Sequence, residues 1–528
     1  MKNIGIYCML FCIVLNVSCK KDLLNTLPKD RLSSELFWKT QEDAIIASNG
    51  VYSILGNQWR YTSMDAFTDV GHFILQWRGE SEIEKNTYNA SSGVIAGEWN
   101  YYYTLIRSSN DFLEKVELIK EIDPNIKKRL IAEVKTIRSF AYINLTMLFG
   151  EVPLVIKPIT VAEAKEITRT STKEIWDFIS KDLTDASVDL PGVQEEVGRI
   201  TKGAALGLKA RGMLYAGRFK EAKEAANQVI KMGVYKIHPS YKELFDYAGK
   251  NSSEIIFARQ YAKDVAAHSI FTFFTANSLF TQACQVVPTK SLVDAYEMKT
   301  TGLPIENSAS GFNPFKPYEN RDPRLKYTVF VSGDVLANGK QLNTIPGNGS
   351  ADDITISAEN VTSTGWYFKK WVSNSDFGNP WNSGLNLIYL RYAEILLIYA
   401  EASIEINEID NSVLNAINDV RARQDVNMPK VTTTNQSELR ERVRRERNVE
   451  FAMEGLRLFD LRRWKIAEKV IPGPVKGMTY ENPKNPGQLV TVQLSGYVKE
   501  FKSDKNYLWP IPFNEILLNK NLTQNNGY

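Results

Sequence analysis

The strongest constraint in this chain lies between Ser437 and Lys465, SELRERVRRERNVEFAMEGLRLFDLRRWK, where helix formers dominate but the charges are set against a lone helix. Phe451, Gly455, Leu458 and Leu461 or Arg462 recur at i, i+4, i+7 spacing, which predicts a helix with one buried stripe. Glu446, Glu450 and Glu454 follow one another every four residues and stack like charges on one face. Gly455 in mid-helix costs about 1 kcal/mol relative to alanine. Arg442, Arg447 and Arg457 relieve part of the repulsion, and the rest of the carboxylate row calls for an arginine from a second element.

The expected partner is Leu385 to Glu405, LNLIYLRYAEILLIYAEASIE, read as an apolar helix interrupted by Arg391, Glu394 and Glu401. Those polar positions exclude a membrane span, since an ion in hydrocarbon is costly whereas a buried, paired arginine is tolerated. Arg391 is expected to meet Glu450 and Glu454, with Gly455 letting the two backbones approach. All four residues are assigned structural roles.

The segments LRYAEILLIYAEA and RRERNVEFAMEGLRLFDLRRW resemble the signature of the SusD/RagB family, the surface glycan-binding lipoproteins of Bacteroidetes-type outer membranes. PTKSLVDAYE from Pro288, YENRDPRL from Tyr318 and YLWPIPFNEILLNKNLTQNNGY from Tyr507 agree with the same pattern in the same order. The resemblance implies a glycan ligand, a SusC-like TonB-dependent transporter that the protein caps as a lid, and delivery of oligosaccharide or polysaccharide for uptake. It also admits peptide or glycopeptide cargo.

The amino terminus fits export. Lys2 precedes a mostly apolar run from Ile4 to Val17, too short for the ~20 residues of a transmembrane helix, and a small residue stands before Cys19. Residues 1–18 read as a signal peptide and Cys19 as the lipidation site. Residues 19–34 read as a polar tether, leaving the protein held in the cell outer membrane by its lipid. Cys8 and Cys12 leave with the signal, so no intramolecular disulfide can form, and Cys284 reads as a small buried hydrophobe.

Residues 35–528 carry no Pro/Ser-rich linker and read as one mostly α domain. Its helical scaffold covers about 35–233 and 385–528, with a loop- and strand-rich insertion over about 234–384. A first helix is expected over Glu35 to Leu55. Thr201 to Gly233 gives two alanine-rich helices broken at Ala216-Gly217, a pair of about 34 residues that resembles a tetratricopeptide unit. In the insertion EIIFARQY, KYTVFVSG and GWYFKKWV read as short strands between Gly/Asn/Ser/Pro clusters. Long loops on a rigid frame are where recognition usually resides.

The formal charge of +3 supplies no drive toward nucleic acid. His72, His238 and His268 have no ligand-type spacing, and no metal or nucleophile motif occurs, so no cofactor is implied; a Ca²⁺ ion ordering a loop has no sequence support either. Glu80, Glu82 and Glu84 in RGESEIEKN offer the carboxylates a surface glycosidase needs, but their alternation reads as a solvated strand face. A further alternative is a protein-interaction scaffold built on the tetratricopeptide-like grooves.

Sugar rings present apolar C–H faces edged by hydroxyls, so a glycan site needs exposed aromatic platforms beside polar side chains. Trp77 with Arg78 in a glycine-flanked loop, and Trp381 within NSDFGNPWNSG, have few apolar neighbours in sequence to bury them. Trp99 opens WNYYYTLIRSSND, which resembles the family's Trp-containing helix start and so carries Trp99 and Asn100 as further ligand candidates. Trp176, Trp464 and Trp509 are assigned to the core. Trp366, Tyr367 and Trp371 are split between strand faces, and Asp322 with Arg324 is assigned to a turn-fixing ion pair.

Overall fold

Capping chemistry sets the helix boundaries. Asp123 accepts hydrogen bonds from the Asn125 and Ile126 amides, Pro124 takes the first helical position, and Pro124–Phe149 runs on to Gly150. Thr201 caps Lys202–Tyr215 in the same way, and Asn435 caps Gln436–Glu450. The computed structural model describes residues 37–528 except 57, 76–78, 282–283 and 357–359, and the side chains of 58–61 are likewise not described. The signal peptide, Cys19 and the tether therefore lie outside the described residues, as do Trp77 and Arg78.

The helices pack in series. Gln41–Ser53 lies on Gly93–Lys115 and Pro124–Phe149, which packs on Thr172–Asp189, then Lys202–Tyr215, Phe219–Lys231, Tyr392–Glu405 and finally Asn411–Arg421 and Gln436–Glu450. The alanine-rich pair breaks where expected, with its interhelical turn at Ala216 to Arg218. At Gly207 an added Cβ would lie 2.5 Å from Leu390 Cδ2, so glycine is what lets this pair approach the strand Leu387–Arg391. The first helix begins later than expected, at Gln41, because Thr40 and Asp43 form a reciprocal cap there.

Among its described residues the insertion holds only short strands, each paired antiparallel. Ile255–Arg259 pairs with Leu387–Arg391, Val329–Phe330 with Tyr367–Phe368, and Gly71–Phe73 with Val286–Pro288. Trp366, Tyr367 and Trp371 are all buried, so both faces of that strand are covered rather than one. The expected helical scaffold over 385–528 is interrupted by a hairpin, Gly473–Glu481 with Leu489–Lys499. Most of its side chains are at least partly exposed, and its second strand alternates Val490, Val492 and Leu494 with Thr491, Gln493 and Ser495, a strand pattern that the helical expectation overlooked. No described helix is long and apolar enough to cross a membrane.

Arg391 stands at the junction of strand Leu387–Arg391 and helix Tyr392–Glu405, not inside a helix, and is 1% exposed. Its Nη1 donates to Glu450 Oε1 at 2.7 Å and to Glu254 Oε1 at 2.8 Å, while Nη2 and Nε reach the two oxygens of Glu454 at 2.6 and 2.8 Å. Arg423 spans the same Glu254 and Glu450. Arg324 joins Asp322, Glu446 and Glu450, so the pair assigned to a turn is also a tie to the scaffold. Arg421 and Arg442 share Glu297, and Lys370 holds Glu454. Arg324, Arg391, Arg421, Arg423, Arg442 and Lys370 thus face Asp322, Glu254, Glu297, Glu446, Glu450 and Glu454, charge for charge. Burial alone would raise the Glu450 pKa, but Arg391, Arg423 and Arg324 outweigh it and hold the carboxyl well below the usual range.

Gly455 does not lie in mid-helix. The helix ends at Glu450, Phe451 to Gly455 form a turn, and a new helix, Arg457–Arg463, follows. A continuous helix would set Glu454 about 6 Å further along the axis than Glu450; the turn brings both onto one guanidinium instead. Gly455 has φ +76° and donates its amide to Asp65 Oδ2, and Arg457 N–H donates to the other oxygen. Its role is a left-handed turn, not close helix packing.

Removing one member of a balanced buried cluster strands the others. Arg391→Met is expected to lower unfolding free energy by about 3–5 kcal/mol, against about 1–2 kcal/mol for Gly455→Ala. Urea denaturation checks both, and a loss below ~1 kcal/mol for Arg391→Met would contradict the assignment.

Candidate functional site

Among the sequence candidates that lie within the described residues, Trp381 is the aromatic the fold leaves open: 54% of its surface is exposed. Its ring stands edge-on to Phe280, with centroids 6.2 Å apart and planes at 77°. Phe280 in turn packs on a small buried cluster that includes Phe271, Leu279 and Cys284. The platform therefore rests on the core without being covered by it. On the same loop Asn374, Phe377 and Asn379 are also exposed, which places amide donors and acceptors near an aromatic face.

The loop is held from both ends. Asn382 Nδ2 donates to Asp264 Oδ1 at 2.8 Å while its Oδ1 accepts the Asp264 amide at 2.9 Å. Ser383 and His268 exchange two backbone hydrogen bonds at 2.8 and 2.9 Å. The His268 ring accepts the Ile270 amide at Nδ1 and donates from Nε2 to the Leu385 carbonyl, and burial draws its pKa down to about 4, so it serves as a neutral strut. Buried Asp376 accepts the Tyr247 hydroxyl at 2.6 Å and the Lys263 ammonium at 2.9 Å, and the Tyr247 oxygen accepts the Gly384 amide at 2.8 Å. Ser373 is tied to Asp246 at 2.6 Å. Such a surface pays little ordering entropy on binding.

The other candidates fall elsewhere. Trp99 does not start a helix: it lies inside Gly93–Lys115, is 4% exposed, and packs edge-on against Phe149 at 5.1 Å with Tyr103 alongside. Enclosed in this way, its ring offers no platform. Asn100 is exposed on the same helix. Arg391, Glu450 and Glu454 are buried in the ion cluster described above.

The three glutamates at Glu80, Glu82 and Glu84 are not on a strand. They lie on the short helix Glu80–Lys85, with Glu80 and Glu84 buried and Glu82 exposed. Glu84 binds His72 Nδ1 at 2.8 Å and Lys499 Nζ at 2.9 Å; burial pushes its pKa up, but these two partners outweigh it and hold it at about 2. An acid so firmly ionised cannot donate a proton to a leaving group near neutral pH. Among the described residues no group of three or more His, Cys, Asp or Glu side chains is placed to hold a metal ion. Cys284 is buried, and burial raises its thiol pKa well above the ordinary value.

The sequence reading missed the residues that hold the Trp381 loop, because Tyr247, Lys263, Asp264 and His268 lie more than a hundred positions from the groups they bind. It also missed a cavity of about 740 Å³ on the helical scaffold, lined by Arg444, Arg462, Trp464 and Lys465 among others.

Residues 253–528 match the SusD family, and residues 28–214 match a family described as starch-binding and associating with the outer membrane. The chain is 26% identical over 526 residues to SusD-like protein P2 of Formosa agariphila, covering 95% of each. A SusD-like carbohydrate binding protein of Bacteroides fragilis superposes with a TM-score of 0.83 at 27% identity, covering 92% of this chain and 100% of its own. A second SusD-like protein of the same organism gives 0.81 at 27% identity, covering 95% and 100%.

Tyr247→Phe removes the hydroxyl that joins Asp376 to the Gly384 amide. Hydrogen exchange of residues 374–384 should accelerate at least tenfold, while global stability falls by no more than about 1–3 kcal/mol. Unchanged exchange in that loop would show that the platform is not held through Tyr247.

Proposed function

The chain belongs to the SusD family, and from that premise we propose that it is an outer-membrane lipoprotein, anchored through Cys19, that captures oligosaccharide or polysaccharide and passes it to a SusC-like TonB-dependent transporter. The reading is supported by the description of the second family as starch-binding and outer-membrane-associated, and by the carbohydrate-binding protein among the structural relatives. The observation that carries it in this chain is Trp381: a ring more than half exposed, braced edge-on by Phe280, on a loop closed by side-chain hydrogen bonds.

The mechanism is binding, not bond cleavage. A pyranose lays its C–H face on the Trp381 indole, and the neighbouring amides of Asn374 and Asn379 take ring hydroxyls, while the stiff loop selects by shape. Trp77 and Arg78 are proposed as a second contact on sequence grounds. Cargo then reaches the transporter by movement of the whole domain, which the fold transmits as a unit through its buried ion cluster.

Two experiments check this reading. Isothermal titration of the purified chain against glycans, with peptides and glycopeptides as competing cargo, should find a glycan whose affinity falls about tenfold or more in Trp381→Ala, equivalent to ~1.4 kcal/mol. A panel with no binder, or a binder indifferent to Trp381, would contradict it. Cys19→Ser should move the protein from the outer-membrane to the soluble fraction on cell fractionation, and retention in the membrane would exclude the anchor.

A further inference from the structure

Among the described residues most buried arginines have a strong partner for the guanidinium charge, even where one nitrogen lacks a hydrogen bond, as at Arg423 Nε and Arg447 Nη1. Most hold a carboxylate, as Arg138 holds Asp182 and Arg211 holds Glu394. Arg321 has no carboxylate but makes four hydrogen bonds to three backbone carbonyls. Arg462 does neither. It is 4% exposed, its Nη1 makes one long bond of 3.4 Å to the Met147 carbonyl, its Nε has no hydrogen bond, and no carboxylate lies within ion-pair distance. Its surroundings are the Trp509 ring at 5.5 Å and the phenols of Tyr88 and Tyr528. A position at the end of Arg457–Arg463 gives some compensation from the helix carbonyls, but the helix has only two turns.

A second cation stands three residues on. Lys465 is exposed, forms no ion pair, and lies 4.1 Å above the Tyr507 ring at a left-handed φ of +54°. Burial of its stem and the adjacent Arg462 draw its pKa below the ordinary lysine value. Arg444 is the third: its Nε also lacks a hydrogen bond, and its carboxylate contacts, at 3.7 and 4.0 Å, are longer than charge-assisted bonds.

All three line the cavity of about 740 Å³, large enough for one or two sugar rings. The acids in its wall are already engaged. Glu401 accepts both Arg463 nitrogens and the Trp464 indole N–H, and Glu405 is held in a fork by Arg440. What remains is a concave site with positive charge in excess, walled by Trp176, Trp464 and Tyr507.

We propose that this cavity is an oxyanion site, in which Arg462, Lys465 and Arg444 hold the carboxylate or sulfate of a ligand of monosaccharide to disaccharide size. It is separate from the Trp381 platform, which does not line it, and so can be tested independently. A ligand oxyanion in the cavity would give a close counter-charge to two guanidinium groups that hold no carboxylate at short range. A planar carboxylate or a tetrahedral sulfate fits the guanidinium fork, with Lys465 as a mobile point charge at the entrance.

The test is calorimetric titration of the purified full chain at low salt with sodium glucuronate, sodium sulfate and, as a neutral control, glucose. The site predicts binding of glucuronate, sulfate or both, weakened at least tenfold by Lys465→Met and by Arg462→Gln and unchanged by Trp381→Ala. The glucuronate and sulfate arms identify which oxyanion it prefers. Lys465 is exposed, so its variant folds and keeps the test valid if Arg462→Gln does not. Silence toward both anions, affinity indifferent to Lys465→Met, or glucose binding as tightly as glucuronate at this site would each overturn the proposal.

Discussion

A guanidinium sealed from water must be surrounded by carboxylates, and Arg391 can be so surrounded only if three distant pieces of chain arrive together. Glu254 opens the insertion, Glu450 closes one helix, Glu454 sits in the following turn, and Arg391 itself ends a strand. Arg423 and Arg324 then bridge the same acids from two further segments. Such a cluster need not stabilise the fold more than an apolar core of the same volume would, since desolvating so many charges is costly. Its effect is selective: any other register of these elements leaves buried charge unpaired.

That constraint explains why an irregular insertion of about 150 residues can present a rigid surface. Its own strands are short, and two ladders join it to the scaffold, Ile255–Arg259 with Leu387–Arg391 and Val286–Pro288 with Gly71–Phe73. The ion cluster supplies a further tie, through Asp322 and Arg324 to Glu446 and Glu450 and through Lys370 to Glu454. Trp381 lies ten residues beyond Trp371, whose indole N–H donates to the Met453 carbonyl in the turn that carries Glu454. The Trp381 loop and the tetratricopeptide-like frame are thus connected by hydrogen bonds as well as by chain.

The pairing of Arg391 with Glu450 and Glu454 was legible because a four-residue repeat of acids is unstable by itself and announces a missing cation. The exposure of Trp381 was legible because NSDFGNPWNSG contains almost nothing apolar to cover it. The turn at Gly455 was not, since the local preference throughout RRERNVEFAMEGLRLF is helical and only the need to bring two acids onto one guanidinium breaks it. Trp99 misled because its burial is decided by Phe149, fifty residues away. The acids at Glu80 to Glu84 alternate like a strand yet form a helix, because Glu84 has to turn inward to reach His72 and Lys499.

This buried cluster holds the fold in its ionised form, and the pH dependence of unfolding reports on it. Glu450 and Glu254 are pushed up by burial but held below the ordinary glutamate value of 4.5 by their arginines, so their contribution is present above that value and is lost as pH falls below it. Asp65 acts in the opposite sense, because burial raises it to about 7 and stability declines as pH rises from 3.8 to that value. Urea unfolding of the chain at a series of pH values should show stability falling by several kcal/mol between about pH 5 and 3. Stability that stays level across that interval would contradict the account.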